Sequence, residues 1–350
     1  MLNACRQITA KLGALLALVL AAQSSGTGQT LPDGARSLLQ KYFGFSQTDV
    51  RDVERGNIVV KVLSSQDGRE IAPIAVTRIA VPRRLFIEKL RDIENFKKSD
   101  IVLQIGKFSV KPRVEDLQHL ILEPGDIDAL KSCSPGSCRV KAPADWMRRF
   151  RSEIDWSSPA RNEAADQFIR QILSDYAGAY LSQGNPVLVE YNDRKETVRV
   201  REELQSMLNQ SPYLLDSAPE FYRYVEQYPA VNLQRVESFI YWSKEKYRYK
   251  PMTSITHVNI LNGETSASPT MICSKQIYAN HYFDSSLALS WLFDDGTGSG
   301  LYLIYVNRTR VDALRGAFAW LKRLLVRGPI RDGVKKYVGD VRQKLEANQP

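Results

Sequence analysis

The chain has 350 residues, of which 43% are hydrophobic and 25% charged, and a formal net charge of +9. That balance describes a globular protein and excludes a disordered, collagen-like or multi-span membrane chain. The positive charge is local: residues 308–350 hold eleven Lys/Arg against four Asp/Glu. A near-neutral body with a basic tail argues for a local electrostatic surface and against a general nucleic-acid binder.

The N-terminus reads as a secretory signal over residues 1–24. Arg6 and Lys11 precede an apolar run at 12–22, and Ala22-Gln23-Ser24 offers a small-x-small cleavage site. Eleven helical residues cover about 17 Å, whereas a bilayer core needs ~30 Å. The run therefore predicts a removable signal and a periplasmic or secreted protein. Cys5 precedes the apolar run, so it is not placed as a lipoprotein cysteine.

The mature chain begins with a predicted helix at 35–43. A strand at 56–63, turn residues at 64–70 and a second strand at 71–81 follow. Pro82 opens a predicted helix to Lys97, with Leu85, Phe86, Leu90, Ile93 and Phe96 on one face. Residues 101–110 return as a strand. From 112 to 235 the pattern becomes mostly helical, with segments at 114–122, 126–130, 144–154, 159–183 and 200–209. Gly184 is a fair C-cap for the longest of them. Strand-like runs then recur at 238–242, 253–261, 271–283, 287–293 and 301–307, with turn residues at 262–269 and 294–300. A basic helix is predicted from about 311 onward. Val311, Leu314, Phe318, Leu321 and Leu325 form its inner stripe, and a break or kink is expected at Gly328-Pro329 before Ile330, Val334, Val338, Val341 and Leu345 continue it.

These elements predict an α+β fold: an antiparallel sheet curved around a long C-terminal helix, with a mostly helical insert. Residues 25–111 and 236–350 supply the sheet and terminal helix, and 112–235 the insert. Cys133-Ser-Pro-Gly-Ser-Cys138 has a turn-rich interior that brings two thiols together, and export to an oxidising compartment favours their disulfide. Two thiols without nearby histidines fall short of a closed zinc shell. Cys273, within a predicted strand, is expected to be a buried free thiol.

A strand pair, a helix beginning Val81-Pro82-Arg83-Arg84-Leu85-Phe86 and running to Asp92, a meander and a long terminal helix resemble the START-like, or SRPBCC, helix-grip superfamily. The likeness covers about 56–110 and 236–346, with 112–231 as an unfamiliar insertion. It implies a cavity between sheet and terminal helix that holds a hydrophobic small molecule or lipid. The whole chain also resembles exported bacterial proteins to which no activity can be attached.

Chemistry-bearing residues are sparse. The run from Cys273 to Asp284 collects the most reactive side chains, but eight extended residues put Cys273 and His281 about 26 Å apart on one strand. Alternation places Cys273, Lys275, Ile277, Ala279, His281 and Phe283 on one face, and Tyr278 with Ser274 and Gln276 on the other. Gly296-Thr-Gly-Ser-Gly300 lies between two strands and reads as a hairpin turn rather than a phosphate loop. His119, His257 and His281 have no metal-ligand spacing, and no motif calls for a metal or cofactor. The expected ligand-binding residues are Lys275, Tyr278, His281 and Tyr302. Lys322, Arg323 and Arg327 are the candidates for docking on an anionic membrane surface. Two alternatives stay open: a protein-interaction module built on the helical insert, and a cyclase- or hydrolase-type enzyme using the cavity.

Overall fold

Runs of β-branched and aromatic residues become strands here wherever turn residues bound them. The computed structural model describes residues 30–347, apart from 248, 266, 317 and 318 and the side chains of 319–321 and 323. The signal expected at 1–24 and the packing expected of Phe318 and Leu321 lie outside the described residues.

In chain order, helices α1 (Asp33–Phe43) and α2 (Gln47–Glu54) lead into strands β1 (Val59–Leu63) and β2 (Glu70–Ile79). Helices α3 (Arg83–Arg91) and α4 (Ile93–Lys97), divided at Asp92, precede β3 (Val102–Lys107). Next come α5 (Pro124–Ser132), α6 (Ala144–Glu153) and α7 (Arg161–Gln183). The short pair β4 (Glu190–Tyr191) and β5 (Val198–Arg199) is followed by α8 (Val200–Asn209), α9 (Pro212–Ser217) and α10 (Pro219–Glu226). Strands β6 (Val236–Glu245), β7 (Met252–Leu261), β8 (Thr270–Ala279), β9 (Phe283–Asp294) and β10 (Leu301–Val311) then run to helix α11 (Ala319–Ala347).

Among these residues, eight strands form one open antiparallel sheet in the order β1-β2-β10-β9-β8-β7-β6-β3. The fold is therefore α+β, with a large antiparallel sheet and a C-terminal helix. Strands β3 and β6 pair directly, so everything from 108 to 235 is carried between two neighbouring strands. Gly106 is required at that seam, because a Cβ there would stand 2.6 Å from the Trp242 indole nitrogen. That indole donates to the Asp116 carbonyl at 2.8 Å and pins the departing chain.

Helices cover both faces. One core joins α1, α2 and α5–α10 to Ile74, Trp242, Ile255, Cys273, Leu289, Trp291 and Ile304 of the sheet. The other joins α3, α4 and the C-terminal half of α11 to Ile79, Val258, Ile260, Ile272, Leu292 and Leu303. The end of α11 is tied to β2 and its surroundings by Arg342 Nη1 donating to the Gly56 carbonyl at 2.7 Å and Glu346 accepting from the Ala80 amide at 2.8 Å.

Several local expectations change. Val311 ends β10 and Leu314 lies buried in a 3-10 turn, so α11 begins eight residues later than the periodicity implied. Leu325 is 69% exposed rather than packed. Gly328-Pro329 does not end α11. Pro329 lacks the N–H that would reach Leu325, but that turn faces solvent, where water can serve the freed carbonyl. Pro124, Pro212 and Pro219 open helices at the first turn, where a missing N–H costs nothing. Gly184 does close α7, at φ 71°, with its missing Cβ leaving room for the Tyr228 carbonyl. Cys133 and Cys138 form the expected disulfide, and Cys273 is a buried free thiol.

A buried charge network binds the helical segment to the sheet. Glu70 of β2, fully buried, pairs with Arg308 of β10, while Arg310 pairs with Glu203 of α8. Arg69 bridges Glu203 at 2.9 Å and Asp284 at 3.0 Å, and Asp284 also receives Lys141 at 2.9 Å and Arg315 at 2.6 Å. Removing one partner of such a pair leaves an uncompensated buried charge, which costs about 3–5 kcal/mol. Glu70→Ala should lower unfolding stability by that amount in urea titration. Glu153→Ala, which breaks an exposed pair with Arg149, should leave the midpoint unchanged.

Candidate cleft between the sheet and the terminal helix

The sheet face beneath α11 changes character along its strands. Its apolar half holds Val258, Ile260, Ile272, Leu292 and Leu303, which pack against α3 and the end of α11. Further along, every second residue is polar or small: Ser254 and Thr256 on β7, Ser274 and Gln276 on β8, Ser286 and Ala288 on β9, Asn307 and Thr309 on β10. These residues floor a cleft of about 340 Å³. Tyr241, Tyr247, Tyr305 and Tyr337 wall it, the last reaching in from α11.

Part of the floor satisfies itself. Ser286 Oγ donates to Asn307 Oδ1 at 2.9 Å and shares a 2.8 Å hydrogen bond with Thr309 Oγ1. At the rim, Lys97 of α4 pairs with Glu245 at 2.9 Å and lies 5.5 Å from the Tyr241 ring centroid. Burial pushes the Glu245 carboxyl up, but Lys97 and the Ser243 hydroxyl outweigh it and hold the group below its ordinary range. Burial raises the Tyr305 and Tyr247 phenols, which therefore remain protonated donors at neutral pH. Gln276 is only 9% exposed, and its Oε1 has no hydrogen-bond partner.

The four residues expected to orient a ligand beneath the terminal helix all lie away from this cleft, toward the helical segment. Tyr278 misses it because of a bulge: Thr256 pairs with Gln276 and Ile255 with Tyr278, so Ile277 is an extra residue and the alternation slips. Tyr278 instead packs on Trp146 and donates to the Lys141 carbonyl at 3.4 Å. His281 lies beyond the end of β8, where Nε2 meets Asp126 of α5 at 2.8 Å. Asp126 also accepts from Asn280 at 3.2 Å and Lys250 at 3.0 Å. Tyr302 is fully buried in the core that contains α1 and α2. The alternation of Ser, Thr, Asn and Gln in otherwise apolar strands was the signal for the cleft, and it pointed to Gln276 rather than its neighbours.

Lys275 occupies an unusual place. It is 1% exposed, pairs with no carboxylate among the described residues, and donates to Asn185 Oδ1 at 3.0 Å and the Val225 carbonyl at 3.4 Å. Its ammonium lies 4.9 Å from the Tyr228 ring and 5.5 Å from that of Tyr180. Its cross-strand partner His257 takes a 2.9 Å hydrogen bond with Tyr180 at Nδ1, while Nε2 is buried and unpartnered. Burial lowers Lys275 to about 8, and burial together with Lys275 holds His257 well below its ordinary value. Burial also pushes the adjacent Cys273 thiol up to about 12, which removes it as a nucleophile at neutral pH.

On α11, Lys322 and Arg327 are exposed, and the Arg323 side chain lies outside the described residues. Lys322 donates to the Ala313 carbonyl at 3.0 Å. Leu324 and Leu325 between them are 53% and 69% exposed. Among the described residues no cluster of His, Cys, Asp and Glu is arranged to hold a metal, and no helix is long and apolar enough to cross a membrane. Comparison with protein-family models, with curated proteins and with solved structures finds no match.

Lys275 generates a pH prediction. An unfolded lysine titrates near 10.5 and the folded one near 8, so between those values the unfolded chain holds more protons and stability rises with pH. Below pH 8 the penalty is complete, at roughly 3 kcal/mol. Lys275→Met should therefore be more stable than wild type by about 1–3 kcal/mol at pH 7, and the gain should shrink as pH approaches 10.5. Urea titrations of both proteins across that range check the convergence.

Proposed function

We propose that this chain is an exported, START-like binding protein that holds a small hydrophobic or amphipathic molecule between its sheet and α11. The cleft of about 340 Å³ beneath α11 carries the reading. Its volume falls at the lower end of ligand cavities, which run ~300–1,000 Å³, and its tyrosine walls with a few placed polar groups suit such a role. The connectivity supports a helix-grip arrangement. A first strand (β2) leads through two helices to the far edge (β3), and a meander returns strand by strand until the last strand, β10, pairs with the first. Helix α11 then follows. In this arrangement residues 108–235 interrupt a single hairpin. The disulfide suits an oxidising compartment.

The size of the cleft limits its occupant. Liquid water takes about 30 Å³ per molecule, so the space accommodates on the order of a dozen to twenty bonded non-hydrogen atoms. A small molecule fits wholly; a two-chain lipid would leave its chains outside. Replacing Ala288, on the floor, by Trp should fill the space. Native mass spectrometry of protein recovered from its export compartment should show a bound small molecule on wild type and none on Ala288→Trp. Equal adducts on both, or none on either, would count against the cleft.

A second observation favours a peripheral membrane role for the same protein. Exposed Leu324 and Leu325 sit among exposed Lys322, Arg327, Arg331 and Lys335, the combination that docks a helix on anionic headgroups. Each basic residue near such a surface contributes ~1 kcal/mol. Wild type should sediment with phosphatidylglycerol vesicles at low salt. Lys322→Glu combined with Arg327→Glu should stay in the supernatant with its unfolding midpoint unchanged.

A further inference from the structure

We infer that the cleft beneath α11 selects a neutral, ring-shaped molecule carrying several hydroxyl groups, of the saccharide or glycoside class, with Gln276 as its polar anchor. This rests on the small-molecule reading of the cleft and names what that molecule is made of.

A purely hydrocarbon ligand suits the lining poorly. Seven of the floor residues on four adjacent strands carry hydroxyl or amide groups: Ser254, Thr256, Ser274, Gln276, Ser286, Asn307 and Thr309. Of these, Ser286, Asn307 and Thr309 bond to one another. Gln276 does not share in that arrangement: it is 9% exposed, lines the cleft, and leaves Oε1 without a partner. A hydrocarbon in the cleft would leave that buried oxygen without a hydrogen bond. A ligand hydroxyl serves either orientation of the amide, because it both donates and accepts.

The charge in the cleft is already matched. Lys97 and Glu245 face each other at 2.9 Å, so the site does not call for a charged ligand to complete it. The walls complete the description. Tyr241, Tyr247, Tyr305 and Tyr337 present flat apolar faces with polar tips. A saccharide ring has apolar C–H faces and a hydroxylated edge, which matches ring walls set over a hydroxyl-and-amide floor. The volume matches one or two rings, not a long chain.

The test uses three probes against the purified protein by isothermal titration calorimetry: phenyl glucoside, its tetra-O-methyl ether, and decanoate. Wild type should bind phenyl glucoside. It should bind the ether about tenfold more weakly, because methylation removes the donors while keeping the skeleton. Gln276→Leu should lose about tenfold toward the glucoside and none toward the ether. The ether comparison needs no variant, so a misfolded Gln276→Leu would not spare the inference. Equal or tighter binding of the ether or of decanoate overturns it. If decanoate alone binds, and Ala288→Trp abolishes that binding, the small-molecule reading survives while the hydroxylated class is discarded. If no probe binds and native mass spectrometry shows no adduct, both are discarded.

Discussion

The pairing of β2 with β10 is the constraint from which the rest of the structure follows. It brings residues 70–79 against 301–310, more than two hundred positions later in the chain, and so closes the meander on its own beginning. The register matters as much as the contact. Arg310 stands opposite Glu70, and Arg308 of the same strand reaches that carboxylate too, in a setting where neither charge meets water. Such groups are tolerable only when paired. Because Arg310 also holds Glu203 of α8, the register that seals the sheet also anchors the helical segment to it.

Covering both faces of the sheet changes what its residues must be. Every residue of β7 is buried, so the strand cannot show the apolar-in, polar-out alternation of a half-exposed sheet. Polar residues in such strands must find partners inside the protein. Toward the helical segment several do so through backbone and side chains of the insert: Lys275 through Asn185 and Val225, His281 through Asp126, Ala279 N–H through the Tyr191 hydroxyl, whereas His257 Nε2 has none. Toward α11, Ser286, Asn307 and Thr309 bond to one another, while the buried Gln276 Oε1 has no partner.

Lys275 illustrates the cost of the first kind. An ammonium without a carboxylate partner among the described residues opposes folding at neutral pH, and its two carbonyl-type acceptors and two tyrosine faces offset only part of that. What it secures is position. Its acceptors belong to the turn after α7 and the end of α10, so it fixes the middle of the insert over β8. His257 beside it stays neutral for the same reason of burial.

The sequence by itself determined most of the elements, because they rest on local rules. Alternation and turn residues located the strands from β6 to β10, Pro82 located the start of α3, and the spacing of Cys133 and Cys138 anticipated their disulfide. It missed α2, although Ser46 and Asp49 form its capping box, and it placed no helix at α9 or α10. What only the tertiary structure decided is which face each residue serves. A single bulge at Ile277 moved Tyr278 across the sheet, and the segment 108–235 covered the face that carries Lys275 and Tyr302. Both depend on contacts between distant parts of the chain. Side-chain period can mark a residue as alternating, but it cannot say what will lie against it.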